Sequence, residues 1–79
     1  MNKNVKVYST STCPYCTMLK SFLQEKNVQF ENIDIGIDRQ KAGEMIQKSG
    51  QMGVPVVDIE GKIIVGFDKD AISKELNLP

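Results

Sequence analysis

The chain has 79 residues, of which 41% are hydrophobic, and its ten basic and ten acidic side chains leave no formal net charge. This length predicts a single domain over residues 1–79, near the lower limit for folding without cross-links or metals. No block of like charges favours a nucleic-acid or membrane surface, so neither is expected as a partner. The first ten residues lack the apolar core of a secretory signal, and no apolar run reaches membrane-spanning length. A cytoplasmic location is therefore expected.

The first quarter of the chain predicts a strand followed by a helix. Residues 5–8, VKVY, are a short run rich in β-branched and aromatic residues, which is typical of a strand. Pro14 suits the first position of a helix, and Lys26 and Asn27 are expected to end it. Apolar residues recur at one-turn spacing along this helix and predict its buried stripe: Met18, Leu19, Phe22 and Leu23.

The middle of the chain predicts a second strand and a second helix. Residues 28–35 alternate in part between apolar and polar side chains, as in a strand. A helix is expected over Arg39–Ser49, with Gly50 as its stop. Its predicted buried residues are Ala42, Met45 and Ile46.

The last third predicts a hairpin and a final helix. Glu60 and Gly61 form the expected turn between two β-branched runs. Asp68 is placed to cap a helix whose apolar residues fall on one face, namely Ala71, Ile72 and Leu76. The order βα, β, α, ββα predicts an α/β fold with a mixed sheet and helices on both faces.

The only two cysteines, Cys13 and Cys16, form the sequence CPYC between the first strand and the first helix. Two thiols packed in the core are one interpretation, but the polar residues 9–12 and the following proline are not typical of a core position. A zinc or iron–sulfur site needs about four ligands, and a chain with two cysteines and no histidine cannot supply them alone. No metal site is therefore expected within one chain.

A reacting dithiol fits the spacing best. Side chains three residues apart at a helix start are neighbours that can form a disulfide. The free N–H groups and the positive dipole end stabilise a thiolate there, so Cys13 is the expected nucleophile and Cys16 the shielded resolving thiol. Pro14 stiffens the turn. Because no histidine can act as a base, the hydroxyls of Thr10 and Thr12 are expected to help stabilise the thiolate, and activity should show one main rise with pH.

CPYC after a first strand, GVP about forty residues later and GFD after a hairpin together resemble the glutaredoxins over nearly the whole chain. The resemblance implies the thioredoxin fold, with a four-stranded mixed sheet flanked by three helices in the order βαβ-α-ββα, and dithiol–disulfide exchange. It implies that Cys13 attacks, that Cys16 resolves and that Pro55 is a cis proline facing Cys13. Taken alone, the Val54–Pro55 pair favours a strand that begins with proline, because only about 5–6% of X–Pro bonds in folded proteins are cis.

The resemblance also implies a glutathione site. In that site Val54 pairs with the glutathione backbone, and Asp68 holds the γ-glutamyl end, although a helix cap is sufficient reason for this acid. Phe67 fits a rim aromatic and equally a core residue. The other residues expected to border this site or a bound substrate are Tyr15, which should be exposed, Pro55 and Gly66.

Three positions depart from the usual glutaredoxin pattern. Thr10 stands where many members carry a cation, Val65 replaces the first glycine of a pair, and Lys69 replaces an acid. Arg39 or Lys41 could replace the missing cation or could be solvated surface charges. Single glycines also occur in glutaredoxin-like redoxins that donate electrons to ribonucleotide reductase and are re-reduced by thioredoxin reductase.

The sequence therefore predicts a cytoplasmic, monomeric thiol–disulfide oxidoreductase with no tightly bound cofactor. Its expected substrates are protein disulfides or glutathione mixed disulfides, and its reductant is glutathione, as a co-substrate, or thioredoxin reductase. One alternative is a redoxin that donates electrons to ribonucleotide reductase. Another is a dimer that binds an iron–sulfur cluster through Cys13 and glutathione.

Overall fold

The computed structural model describes residues 4–78, and these form one four-stranded sheet with three helices. The sheet has the order β2-β1-β3-β4, with β1 parallel to β2 and the other neighbouring pairs antiparallel. This is the mixed sheet predicted from the sequence. In chain order the elements are β1 (Val5–Ser9), α1 (Pro14–Glu25), β2 (Glu31–Asp34), α2 (Arg39–Ser49), β3 (Val56–Ile59), β4 (Lys62–Val65) and α3 (Lys69–Leu76).

Side chains alternate between the two sides of the sheet, so both faces carry apolar residues, and helices cover both faces. Helices α1 and α3 pack on the face whose core residues are Val5, Val7, Leu19, Leu23, Val57, Ile59, Ile64 and Ile72. Helix α2 packs on the other face, where the core residues are Tyr8, Ile33, Met45 and Val56. None of the helices in residues 4–78 has the length and apolar content needed to cross a bilayer.

Local signals end the elements as the sequence predicts. Pro14 begins α1, and Asp68 caps α3 through its side chain. Gly50 follows α2 with φ 73°, a left-handed conformation that glycine adopts without a Cβ penalty. The hairpin turn has positive φ at both Glu60 (52°) and Gly61 (94°), which matches the right-handed twist of the two strands.

The second strand is shorter than the predicted residues 28–35. Val28 uses its N–H to close the end of α1 by donating to the Leu23 carbonyl (2.9 Å), so it cannot enter a ladder with β1. Ile35 still donates to the Ser9 carbonyl (3.0 Å), but the chain turns there. Val28 and Phe30 pack against the core from outside the strand. Their apolar character therefore marks burial and not strand membership.

Two predicted core residues lie at the surface instead. Met18 is 50% exposed, since the buried face of α1 is formed by Cys16, Leu19 and Leu23 and leaves Met18 beside a shallow groove. Ile46 is 38% exposed, and the one fully buried side chain of α2 is that of Met45. Both corrections have one cause: the apolar faces of these helices are narrower than the one-turn pattern suggests.

The pairing directions bring several loops to one end of the sheet. The parallel strands β1 and β2 end there, β3 begins there because it is antiparallel to β1, and β4 ends there. The loop that carries Cys13, the segment that carries Pro55 and the loop before α3 therefore lie at the same end.

Candidate redox-active site

Cys13 is the N-cap of α1. Its backbone is extended (φ −98°, ψ 110°), and its N–H donates to the Thr10 carbonyl at 3.4 Å. Pro14 follows at the first helical position, where the missing N–H costs no helical hydrogen bond. The Cys16 N–H donates to the Cys13 Sγ at 3.1 Å. The sulfur thus accepts a free helix N–H at the positive end of the helix dipole.

Cys16 is fully buried, whereas Cys13 is partly exposed, and both are free thiols. Burial raises the pKa of the Cys16 thiol to about 11, and its hydrogen bond with Cys13 acts in the same direction. A hydrogen bond with the Thr10 backbone opposes this rise in part. Cys16 is consequently a protonated, shielded thiol at neutral pH, beside a partly exposed sulfur that accepts its backbone N–H.

The peptide bond between Val54 and Pro55 is cis, as the resemblance implies. Pro55 is buried, and its carbonyl accepts the Gly66 N–H at 2.8 Å, which joins this segment to the loop before α3. The Val54 carbonyl oxygen lies 3.9 Å from the Cys13 Sγ. Within residues 4–78, the Val54 N–H has no hydrogen-bond partner. Next to Cys13 the backbone therefore offers an unpaired donor.

The predicted hydroxyl contribution is not found. In the described part of the chain, neither Thr10 nor Thr12 donates its hydroxyl to the Cys13 sulfur, whose contacts are the Cys16 N–H and the Val54 carbonyl. Thr12 is exposed, and the contacts of Thr10 are made by its backbone, with the Cys13 N–H and with the Cys16 thiol. Tyr15 is 62% exposed, as expected.

The loop before α3 holds the remaining residues of the predicted glutathione site. The Asp68 carboxylate accepts the Ala71 N–H at 3.1 Å, so it acts as a helix cap. Gly66 has φ 82°, and a Cβ there would meet no atom within 4 Å, so the backbone conformation favours glycine. Phe67 is partly buried and packs edge-on against Phe22 (ring centroids 5.9 Å apart), which favours the core interpretation.

Two of the lysines discussed above have partners within the protein. Lys69 Nζ lies 5.8 Å and 5.5 Å from the ring centroids of Phe22 and Phe67. Lys41 Nζ lies 3.3 Å from a Glu44 carboxylate oxygen. Arg39 is exposed at the start of α2. Lys41 is thus engaged in a surface ion pair.

A polar network between α2 and the sheet was not predicted. Lys48 Nζ donates to the Asp58 carboxylate (2.7 Å) and to the Tyr8 hydroxyl (3.1 Å), and the Tyr8 hydroxyl donates to Glu44 (3.0 Å). Hydrogen bonds from Lys48, Tyr8 and Lys41 lower the pKa of Glu44 to about 2. Burial opposes ionisation of Asp58, but hydrogen bonds from Lys48 and the Gly61 N–H outweigh it and hold the pKa of Asp58 below its usual value. The sequence carries one signal for this network, the acidic residue Asp58 inside the otherwise apolar strand β3.

Within residues 4–78, no three Cys, His, Asp or Glu side chains are grouped so that they could hold a metal ion together. A four-stranded mixed sheet with a Cys-x-x-Cys pair at the start of its first helix and a cis proline beside it defines a redox protein of the thioredoxin fold.

Comparisons with known proteins agree with this class. The sequence profile of the family "Glutaredoxin" matches residues 5–64. A glutaredoxin-like 8.6 kDa protein in the rubredoxin operon of Clostridium pasteurianum is 46% identical over 70 residues, which are 89% of this chain and 93% of that protein. Glutaredoxin 3 of Escherichia coli is 40% identical over 65 residues, 82% and 78% of the two chains.

Solved structures give the same answer for the fold. The thioredoxin-like protein BC3987 superposes with a TM-score of 0.87 at 27% identity, covering 92% of this chain and 100% of the other. The chain belongs to the glutaredoxin family, whose members are redox proteins that work with disulfide substrates and reductants.

Proposed function

We propose that this chain is a dithiol oxidoreductase that reduces disulfides, with Cys13 as the nucleophile and Cys16 as the resolving thiol. The observation that carries the proposal is the pair itself: a partly exposed Cys13 sulfur accepts the Cys16 N–H at 3.1 Å, while the Cys16 side chain is buried and protonated. This asymmetry supports Cys13 as the sulfur that attacks first and Cys16 as the one that resolves.

The reaction has two exchange steps. The Cys13 thiolate attacks one sulfur of the substrate disulfide, the substrate S–S bond breaks, and the leaving thiolate takes up a proton. Cys16 then loses its proton and attacks the Cys13 sulfur, which breaks the mixed disulfide and releases the second substrate thiol. The substrate gains two electrons and two protons, and the protein retains a Cys13–Cys16 disulfide. An external thiol or a flavoprotein reductase must reduce that disulfide before the next turnover.

The proposed substrates are protein disulfides or glutathione mixed disulfides, met by a monomer in the reducing cytoplasm. Glutathione enters as a co-substrate, and no resident cofactor is part of the proposal. The unpaired Val54 N–H, and the Asp68 carboxylate at the same end of the sheet, support a peptide-like substrate there. The reductant is glutathione if Asp68 also contacts the γ-glutamyl group, and thioredoxin reductase if Asp68 serves only as a helix cap.

Two coupled NADPH assays test the proposal, one with glutathione and glutathione reductase and one with thioredoxin reductase alone. The wild-type protein should reduce a protein disulfide in at least one of the two assays. C13S should reduce it in neither assay. C16S should lose reduction of the protein disulfide but retain removal of glutathione from a mixed disulfide. Equal activity of C13S and wild type would contradict the assignment. The assay in which wild type turns over identifies the reductant.

A further inference from the structure

One side chain holds the segment between α2 and the cis proline. Gln51 Oε1 accepts the Gly53 N–H at 2.6 Å, and Gln51 Nε2 donates to the Gly53 carbonyl at 2.9 Å. A single amide therefore pairs with both polar backbone groups of Gly53. Because the donor and the acceptor of a primary amide are fixed relative to each other, this contact sets the orientation of the backbone as well as its position.

Gln51 is itself anchored to the end of α2. Its backbone N–H donates to the Ser49 hydroxyl at 3.4 Å. The Ser49 oxygen lies 2.8 Å from the Met45 carbonyl and 3.0 Å from the Gln51 carbonyl, and its one proton is donated to either of them at a time. The side chain that pairs with Gly53 thus starts from a backbone position tied to the last turn of the helix.

Gly53 is the residue that this contact requires. A Cβ at position 53 would lie 2.7 Å from Gln51 Oε1, and the next atom, Gln51 Cδ, is 3.8 Å away. The φ of Gly53 lies outside the left-handed region, so its backbone conformation accepts alanine. Gln51 is consequently the one obstacle to a side chain at position 53 among residues 4–78. An added methyl group would displace the end of that flexible side chain.

The contact also determines where the unpaired Val54 N–H points. The Gly53 carbonyl and the Val54 N–H belong to one trans peptide plane, in which the oxygen and the hydrogen point in opposite directions. When Gln51 Nε2 holds that oxygen, the Val54 N–H is directed away from Gln51 and stays free of partners within the described residues. The carbonyl of the same Val54 lies 3.9 Å from the Cys13 sulfur.

We propose that Gln51 is a positioning residue of the redox site: by holding the Gly53–Val54 peptide plane, it presents the Val54 N–H to a backbone carbonyl of a disulfide-bearing peptide that reacts with Cys13. The inference rests on the proposed function and adds a residue to it. In the described residues, Gln51 forms no hydrogen bond with either cysteine, and its effect on the substrate is proposed to act through the Val54 backbone.

Two disulfides separate this role from a general effect on Cys13. The disulfide of acetyl-Ala-Cys-Ala-amide carries backbone carbonyls, whereas bis(2-hydroxyethyl) disulfide carries none. The reduced protein is mixed with each disulfide in excess, without glutathione, and its oxidation is followed by acid quenching and mass spectrometry. The variants are Q51A, G53A and the double variant Q51A/G53A. The matched control is Q47A, which removes an exposed glutamine on α2.

Q51A should lower the rate constant for the peptide disulfide about threefold to tenfold, the change that corresponds to one weakened backbone hydrogen bond. Its rate constant for bis(2-hydroxyethyl) disulfide and its rate of Cys13 alkylation by iodoacetamide should equal those of wild type. G53A should give the same loss because its methyl group displaces Gln51. The double variant should be no slower than either single variant, since both changes remove one contact. Q47A should match wild type with both disulfides.

Additive losses in the double variant, an equal loss with both disulfides, or no loss in Q51A would overturn the inference. Thermal unfolding of each variant checks that the fold is retained, and G53A gives a second route if Q51A does not fold. Failure of the wild-type protein to reduce either disulfide would reject the proposed function itself. Reduction of both disulfides by wild type and by Q51A at equal rates would reject only the role of Gln51.

Discussion

Cys13 and Cys16 are expected to react with iodoacetamide at very different rates. In the variant C13S the remaining thiol is Cys16, so its alkylation rate can be measured by itself. Alkylation requires the thiolate and access of the reagent. Cys16 has neither at neutral pH, because its side chain is fully buried and the same burial raises its pKa. Serine is a good N-cap, so C13S keeps an acceptor for the Cys16 N–H at the start of α1.

The size of the effect follows from the shift of the pKa from 9.0 to about 11. At pH 8, the thiolate fraction falls from about one tenth to about one thousandth, and alkylation slows about a hundredfold on this ground alone. In C13S the hydrogen bond with Cys13 is lost, but burial, the largest cause, remains. Alkylation of Cys16 in C13S should therefore still be at least about tenfold slower than that of an unshielded thiol.

The assay compares folded C13S with the same variant unfolded in guanidinium chloride, at pH 8 and at one iodoacetamide concentration. The rate for the folded variant should also increase about tenfold per pH unit up to about pH 9. C16S, in which only the partly exposed Cys13 is left, is the matched control and should react readily when folded. If folded C13S reacts at pH 8 as fast as unfolded C13S, the account of Cys16 as a shielded, protonated thiol is wrong.

Three further predictions concern the contacts that shape the fold, each measured by urea unfolding. K48M should lower the free energy of unfolding by roughly 2–3 kcal/mol, because the nearly buried Asp58 loses its ion pair. This value already allows for the partial exposure of Lys48, which weakens the pair. The pKa of Asp58 is lowered in the folded protein, so the stabilisation from the ion pair is present above about pH 4 and is lost as the pH falls further. The difference in unfolding free energy between K48M and wild type should therefore become smaller in acid. A difference that does not change with pH would contradict the ion pair. D68A should cost about 1 kcal/mol by removing the cap of α3, whereas D68N keeps a capping side chain and should stay near wild type. G50A should cost about 1 kcal/mol because alanine is strained at φ 73°, and an unchanged stability would argue against the left-handed end of α2.

Features that depend on neighbouring residues could be predicted from the sequence. Pro14, Gly50 and Asp68 mark helix ends through their own backbone or side-chain chemistry, and Glu60–Gly61 marks a hairpin turn in the same way. The cis state of the Val54–Pro55 bond was predicted from the resemblance to a family, because composition and periodicity do not report it. The order of the strands in the sheet was not predicted.

Features that depend on contacts between distant segments could not be predicted. The end of the second strand is decided by Val28, whose N–H closes α1 instead of joining the sheet. Lys48 meets Asp58 because α2 lies across β3, which no local pattern reports. The contact between Gln51 and Gly53 is local, but a glutamine two residues before a glycine has no recognised signature. Its role becomes visible only when Val54 is seen beside Cys13.

The most direct measurement of the central claim is the product that each reduced protein forms with bis(2-hydroxyethyl) disulfide, identified by intact mass after acid quenching. Wild type should lose two hydrogens and gain nothing, because Cys16 displaces the first adduct and closes the Cys13–Cys16 disulfide. C16S should keep one mercaptoethanol group on Cys13, and C13S should remain unmodified on the same timescale. A stable adduct on wild type, or an adduct formed equally fast on C13S, would contradict the account of Cys13 as nucleophile and Cys16 as resolving thiol.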